Sequence, residues 1–278
     1  MGDFELDTRL EAVDPETGRF RAELSREWEI WGPNGGYVAA IALRAAGRVG
    51  CIARPASFSG HFLRVAAFAP VDVAVAPLHL GRRSESLRVS ISQDGKPVLE
   101  ALVRTAADGA GLEHVHEKAP DVPPPEALPD PASLRVGGGH SYPFWSNLEA
   151  RVVNPERFQK PEQSRDPVWR EWYRFTPRAT FDDPFVDAGR MLLLIDTMSW
   201  PAAAQPHPRD SGFQAPNLDV TAWFHALAPE SDWLLADHVS PVAGGGLMGT
   251  TARIWSRDGR LLASGGAQLF CVPAAPAR

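Results

Sequence analysis

Two helix-length runs, residues 36–46 and 189–200, are apolar on nearly every face, and each is followed by the same succession of β-like segments. In the first half Phe62-Leu63-Arg64 precedes Pro70, a strand over residues 87–92, an Asp94-Gly95 turn and a strand over residues 98–104. In the second half Trp223-Phe224-His225 precedes Pro229, a strand over residues 250–256, an Asp258-Gly259 turn and a strand over residues 261–272. The two sets run in step apart from one short loop insertion, which is the mark of a duplicated unit.

A helix that is apolar all round has to be covered on all sides, and a sheet wrapped around it does that. The Asp-Gly pairs between β-like runs are hairpin signals, so the sheet is antiparallel. The class is α+β, one central helix wrapped by an antiparallel sheet, made twice. Between the halves, residues 119–131 hold so many prolines that neither helix nor ladder can form there. The expected organisation is an N-terminal unit over residues 1–106, a proline-rich connector over 107–167, and a C-terminal unit over 168–278 that carries the catalytic residues.

Composition narrows the function. Across 278 residues, 28 Lys and Arg stand against 34 Asp and Glu, a formal charge of -6, which gives no electrostatic footprint for nucleic acid or an anionic membrane. No apolar run is long enough to span a bilayer, and the acidic start has no secretory pattern. Cys51 and Cys271 are too far apart in sequence for a C-x-x-C motif, so a reducing cytoplasm is expected. Gly244 to Gly249 fits G-x-G-x-x-G in form, yet a β-like run follows it instead of a helix, so it reads as a hairpin loop. His114 and His116 have no third partner at a metal spacing, so no metal site is read.

One residue stands out before any family is considered. Asp196 is a carboxylate in the middle of the apolar run 191–198, where burying a charge is costly. It is either a structural group satisfied by neighbouring amides or a general base whose pKa burial raises. At the start of the first helix, Asn34-Gly35-Gly36 presents bare backbone amides suited to an oxyanion, although paired glycines also permit a close backbone approach.

Trp31 to Ala46, the run 57–64, Gly81-Arg82-Arg83 with residues 84–88, and Gln93 to Val98 together resemble the acyl-CoA thioesterase II family. Leu194-Ile195-Asp196, Asn217 to His225, Ser256 to Ser264 and Gln268 extend the resemblance through the second half. It implies a double hotdog fold and a site in which Asp, Ser/Thr and Gln hold the water that attacks a thioester. Carried onto this chain, these are Asp196, Asn217 in place of the hydroxyl residue, and Gln268. Asn217 departs from the pattern, since an amide cannot relay a proton as a hydroxyl can. Thr221 and Asp219 alternate with Asn217 along the strand and are candidates to stand in for it. Aligning Ala45-Ala46 with Ala202-Ala203 puts Ala39 opposite Asp196, so a single competent site is expected.

The expected function is hydrolysis of an acyl-CoA thioester by water activated at Asp196, with the Gly35 and Gly36 amides on the carbonyl and Asn34 assisting. Phe62 and Trp223, with Trp28, Trp31 and Phe224, are candidates for lining an acyl tunnel. The Arg82-Arg83 pair is a candidate for phosphate contact. No cofactor is needed beyond the coenzyme A of the substrate, and the resemblance implies a homo-oligomer. The alternatives are a non-hydrolytic acyl-CoA-binding module, which Asn217 keeps open, and an enoyl-CoA hydratase or dehydratase.

Overall fold

The computed structural model describes residues 1–134, 142–160, 163–208 and 211–274. Its helices are α1 (Phe4–Asp7), α2 (Gly35–Val49), α3 (Pro131–Leu134), α4 (Glu156–Gln159), α5 (Pro184–Thr197) and α6 (Ser199–Ala204). The strands of the first half are β1 (Glu11–Asp14), β2 (Arg19–Glu23), β3 (Pro55–Phe62), β4 (Pro70–Leu80), β5 (Ser84–Gln93) and β6 (Lys96–Ala106). Those that follow are β7 (Leu148–Val152), β8 (Val168–Phe175), β9 (Phe213–Gln214), β10 (Asn217–Phe224), β11 (Leu234–Gly244), β12 (Leu247–Ser256), β13 (Leu261–Phe270) and β14 (Val272–Pro273).

Twelve strands form one antiparallel sheet in the order β1-β2-β4-β5-β6-β3-β10-β13-β12-β11-β8-β7, and β9 pairs with β14 apart from it. The order is a palindrome of the two halves about the β3–β10 seam, where Ser59 faces Thr221. This is the double hotdog, with α2 and α5 as its two central helices. Strand β7 lies within the proline-rich segment 107–167 and continues the sheet from β8. Only its two ends, Leu148 and Val152, are buried, which leaves little hydrophobic pattern to mark it in the sequence. Ala119, Val122 and Leu128 of the same segment pack against a cluster of Trp172, Trp233, Leu235 and Trp255, and the Trp172 indole donates to Pro123 O at 3.0 Å.

Both central helices start on side-chain caps. Asn34 Oδ1 accepts the Tyr37 amide at 2.9 Å, and Asp183 accepts from Phe185 and Val186 ahead of Pro184 at the first helical position. The helices lie antiparallel and very close. A Cβ on Gly36 would come within 2.7 Å of Leu193 Cα, and one on Gly47 within 2.4 Å of the Phe185 ring, so glycine is what allows the axes to approach. Further along α5, the buried Arg190 pairs with Asp187 and donates to the Ser231 and Ala228 carbonyls, fixing the helix to the loop before β11. The close approach sets the C-terminal turn of α5 against the N-terminal turn of α2.

Candidate active site

Asp196 occupies that C-terminal turn. Its side chain is buried, and Asn217, the first residue of β10, donates its Nδ2 to Asp196 Oδ1 at 2.6 Å and to Asp196 O at 2.9 Å. On the other side stands the start of α2. A Cβ placed on Gly35 would be 3.0 Å from both Asp196 Oδ2 and Phe62 Cζ, so carboxylate, ring edge and glycine backbone converge on one point. Burial pushes the Asp196 carboxyl up to about 7, against the opposing pull of hydrogen bonds from Asn217 and the Gly36 amide. A carboxyl that changes state near neutrality can take a proton from water and return it.

The first amides of a helix have no intrahelical acceptor. In α2 the Tyr37 amide goes to Asn34 Oδ1 and the Gly36 amide to Asp196, which leaves the Gly35 amide as the remaining first-turn donor among the described residues. Asn34 is buried, and its Nδ2 donates to Thr197 Oγ1 at 3.0 Å, joining the N-cap of one central helix to the last residue of the other. Asp196, Asn217, Asn34, Gly35, Gly36 and Phe62 are thus brought together.

Three of the residues selected from sequence are placed elsewhere. Val220, Ala222 and Phe224 are buried against the helices, so Thr221 and Trp223 between them face the outer side of the sheet. Thr221 Oγ1 meets Ser59 Oγ there at 3.2 Å, and Trp223 is 54% exposed. Gln268 is turned outward in the same way, because its neighbours Ala267 and Leu269 are the buried ones, and its backbone amide meets Asp219 Oδ1 at 3.2 Å. Asn217 escapes this parity through a β-bulge between Asn217 and Asp219. Asp219 and Thr221 therefore do not share the face of Asn217, and Ala267 takes the inward place on the last strand.

Of the aromatic candidates only Phe62 reaches the site. Trp28 is sealed in the core, stacked on Tyr37 with centroids 5.5 Å apart, and Phe224 also packs in the core. Trp31 donates its indole N–H to the Tyr142 hydroxyl at 3.0 Å. Arg82 and Arg83 line an open hollow with His79, Gly81 and Ser84 at the β4–β5 turn. That turn adjoins the Pro55 end of β3 through β6, whereas Phe62 at the other end of β3 marks the Asp196 side.

Residues 24–106 match the family model of the acyl-CoA thioesterase N-terminal domain, and residues 116–272 match that of the acyl-CoA thioesterase C-terminal domain. The chain belongs to the acyl-CoA thioesterase family. Acyl-coenzyme A thioesterase 8 of Mus musculus is 30% identical over 158 residues, 51% of this chain and 49% of that protein, so the chain spans about half the length of this relative. Among solved structures, a hot dog fold protein of unknown function from Alicyclobacillus acidocaldarius superposes with a TM-score of 0.83 at 22% identity, covering 99% of this chain and 100% of that one. The tesB protein of Mycobacterium avium subs paratuberculosis superposes with a TM-score of 0.80 at 25% identity, over 98% of this chain and 99% of its own. The acyl-CoA thioesterase II TesB2 of Mycobacterium marinum gives 0.80 at 22%, over 99% and 100%.

The Asp196 surroundings also contain groups that sequence reading passed over. Thr197, Ser199, His238 and Thr250 are buried polar residues near the end of α5. Each sits in an otherwise apolar or β-like run, and a single polar residue on a strand gives no sign of which helix carbonyl it will meet.

Proposed function

We propose that this member of the family is an acyl-CoA thioesterase that hydrolyses its substrate to free acid and CoA with water activated at Asp196. The observation that carries the reading is a buried carboxyl, shifted to about 7, held by Asn217 at 2.6 Å and set against the glycine amides of a helix N-terminus. In its ionised form Asp196 accepts a proton from water as the oxygen attacks the thioester carbon. The oxyanion that develops takes the Gly35 amide and the positive end of α2. As the intermediate collapses, the C–S bond breaks, and the proton held by Asp196 passes to the departing CoA thiolate. Asn217 fixes the carboxylate through Oδ1 and keeps Oδ2 turned to the water. The scheme calls on no metal or redox group, and coenzyme A enters only as part of the substrate.

A second reading, a module that binds acyl-CoA without cutting it, draws on two departures in the same site. Asn217 stands where the resemblance implies a hydroxyl, and Ala267 holds the inward position that it implies for an amide. Free-CoA release from a panel of short, medium, long and aromatic acyl-CoAs, with binding measured in parallel, separates the two. Turnover of at least one thioester supports hydrolysis, and binding without release of CoA supports the module.

The surrounding biology follows the same reading. We place the protein in fatty acyl metabolism in the cytoplasm, with acyl-CoA as its small-molecule partner and a second copy of itself in a homo-oligomer. The free thiols of Cys51 and Cys271 suit a reducing compartment. No described helix is long and apolar enough to cross a membrane.

A further inference from the structure

The carbonyls that end α5 are met by side chains from two strands, and a third strand braces the Ser199 hydroxyl that meets one of them. Asn217 of β10 reaches Asp196 O at 2.9 Å. His238 of β11 lies with its Nε2 3.3 Å from Ile195 O, and its ring also faces the Leu194 carbonyl. Ser199 Oγ donates to the same Ile195 O at 2.8 Å, and Thr250 of β12 donates to Ser199 Oγ at 2.8 Å. The chain leaves α5 and starts α6 at this point, so Ile195 O lies where the helical hydrogen-bond pattern changes over. Two side chains, His238 and Ser199, converge on it, one residue before Asp196.

His238 is fully buried, and its Nδ1 has no hydrogen-bond partner among the described residues. The Nε2 contact with a carbonyl puts the ring hydrogen on Nε2 and leaves Nδ1 as a bare acceptor. Burial pushes the ring down to about 4, so it stays neutral across the working range and donates in a single direction. A buried imidazole with one satisfied nitrogen costs stability compared with an apolar side chain of the same size. Its structural return is the orientation of one helix turn.

We infer that His238 is a positioning residue for Asp196, acting through the Ile195 carbonyl to hold the last turn of α5 so that the carboxyl faces Asn217 and the Gly35-Gly36 amides. The inference rests on Asp196 being the functional carboxyl. Ser199 and Thr250 form the second tether to the same carbonyl. A displacement of this turn of about 1 Å is enough to cost one to two orders of magnitude in rate, because the reacting atoms must be aligned.

The test compares His238→Leu, which keeps volume but removes the donor, with His238→Gln, which restores an N–H. Two readouts are taken on the full chain: kcat and KM on a thioester that the wild type cleaves, and titration of the Asp196 carboxyl by 13C NMR. For His238→Leu the expected result is a kcat lower by about tenfold with KM within about twofold. The Asp196 midpoint moves down by about half a unit or more as water enters beside the loosened turn. His238→Gln returns both toward wild type. Unchanged kcat and midpoint in His238→Leu overturn the inference, as does equal impairment of the two variants, which would mark a packing role. If His238→Leu does not fold, Ser199→Ala is read by the same two criteria, and no change in either overturns it. A wild type that cleaves no thioester removes the hydrolase reading alone, since the NMR titration still decides whether His238 sets the environment of Asp196.

Discussion

Asn217 holds Asp196 at two points with one amide nitrogen, the side-chain Oδ1 at 2.6 Å and the backbone O at 2.9 Å. The first bond favours the charged carboxyl and opposes the burial that raises it. With the ionised form as the base of the proposed reaction, kcat/KM is expected to rise with pH through a midpoint near 7 and level off above it. Asn217→Leu removes a bond to the charged form, so its midpoint moves upward, and Asn217→Ser keeps a donor and stays near the wild type. A pH–rate profile between about pH 5 and 9 checks both.

Asp196→Asn is expected to make the protein more stable at pH 8. The folded carboxyl is raised from 3.8 to about 7, so the native state binds the proton more tightly than the unfolded chain does. Stability linked to this group is full below about pH 4 and is lost as pH climbs toward 7, by about 4 kcal/mol at the upper bound. A neutral side chain at residue 196 avoids that loss. Thermal melts of both proteins at pH 4 and pH 8 should therefore differ little at the lower pH and favour the variant at the higher.

The two glycines at the start of α2 separate packing from chemistry. Gly36→Ala drives a methyl toward Leu193 Cα at 2.7 Å and Leu193 O at 2.9 Å, both backbone atoms that cannot yield cheaply. A loss of about 1–3 kcal/mol in stability is expected from the forced separation of the helices. Gly35→Ala instead meets the ends of two side chains, Asp196 and Phe62, at 3.0 Å. Its expected effect is a fall in kcat with a smaller change in denaturant midpoint, measured on both variants together.

Gln268→Ala and Thr221→Ala are expected to keep wild-type kcat/KM within about twofold, since substitutions on the sheet face away from the site change little. Both side chains stand on the outer face of the sheet. A large loss of turnover in Gln268→Ala would contradict the strand parity given above.

The duplicated architecture was legible because its signals are periodic and local. The first apolar helix and both Asp-Gly turns fall where the residues place them, and Asp94 and Gly95 adopt positive φ of 50° and 72°, while the run 189–200 divides into α5, ending at Thr197, and α6, starting at Ser199, and the last strand, expected to residue 272, ends at Phe270. Asp196 was legible for the opposite reason, as a charge breaking an apolar run. Gln268, Thr221 and Trp223 were misread through parity. A strand has a period of two, so one bulge between Asn217 and Asp219 reverses the facing of the side chains beyond it. Gly265 and Gly266 sit where a Cβ would lie 2.0 Å from the Thr221 and Thr250 carbonyls, a crowding between neighbouring strands that no single-strand pattern reveals. His238 was missed because its meaning lies in the Ile195 carbonyl of another element.

The central claim is that Asp196 activates the attacking water, and the most direct test is free-CoA release by Asp196→Asn beside the wild type at pH 8. With circular dichroism showing an intact fold, the account predicts a loss in kcat of at least about a hundredfold with acyl-CoA binding retained. Turnover by the variant within a few-fold of wild type would contradict it.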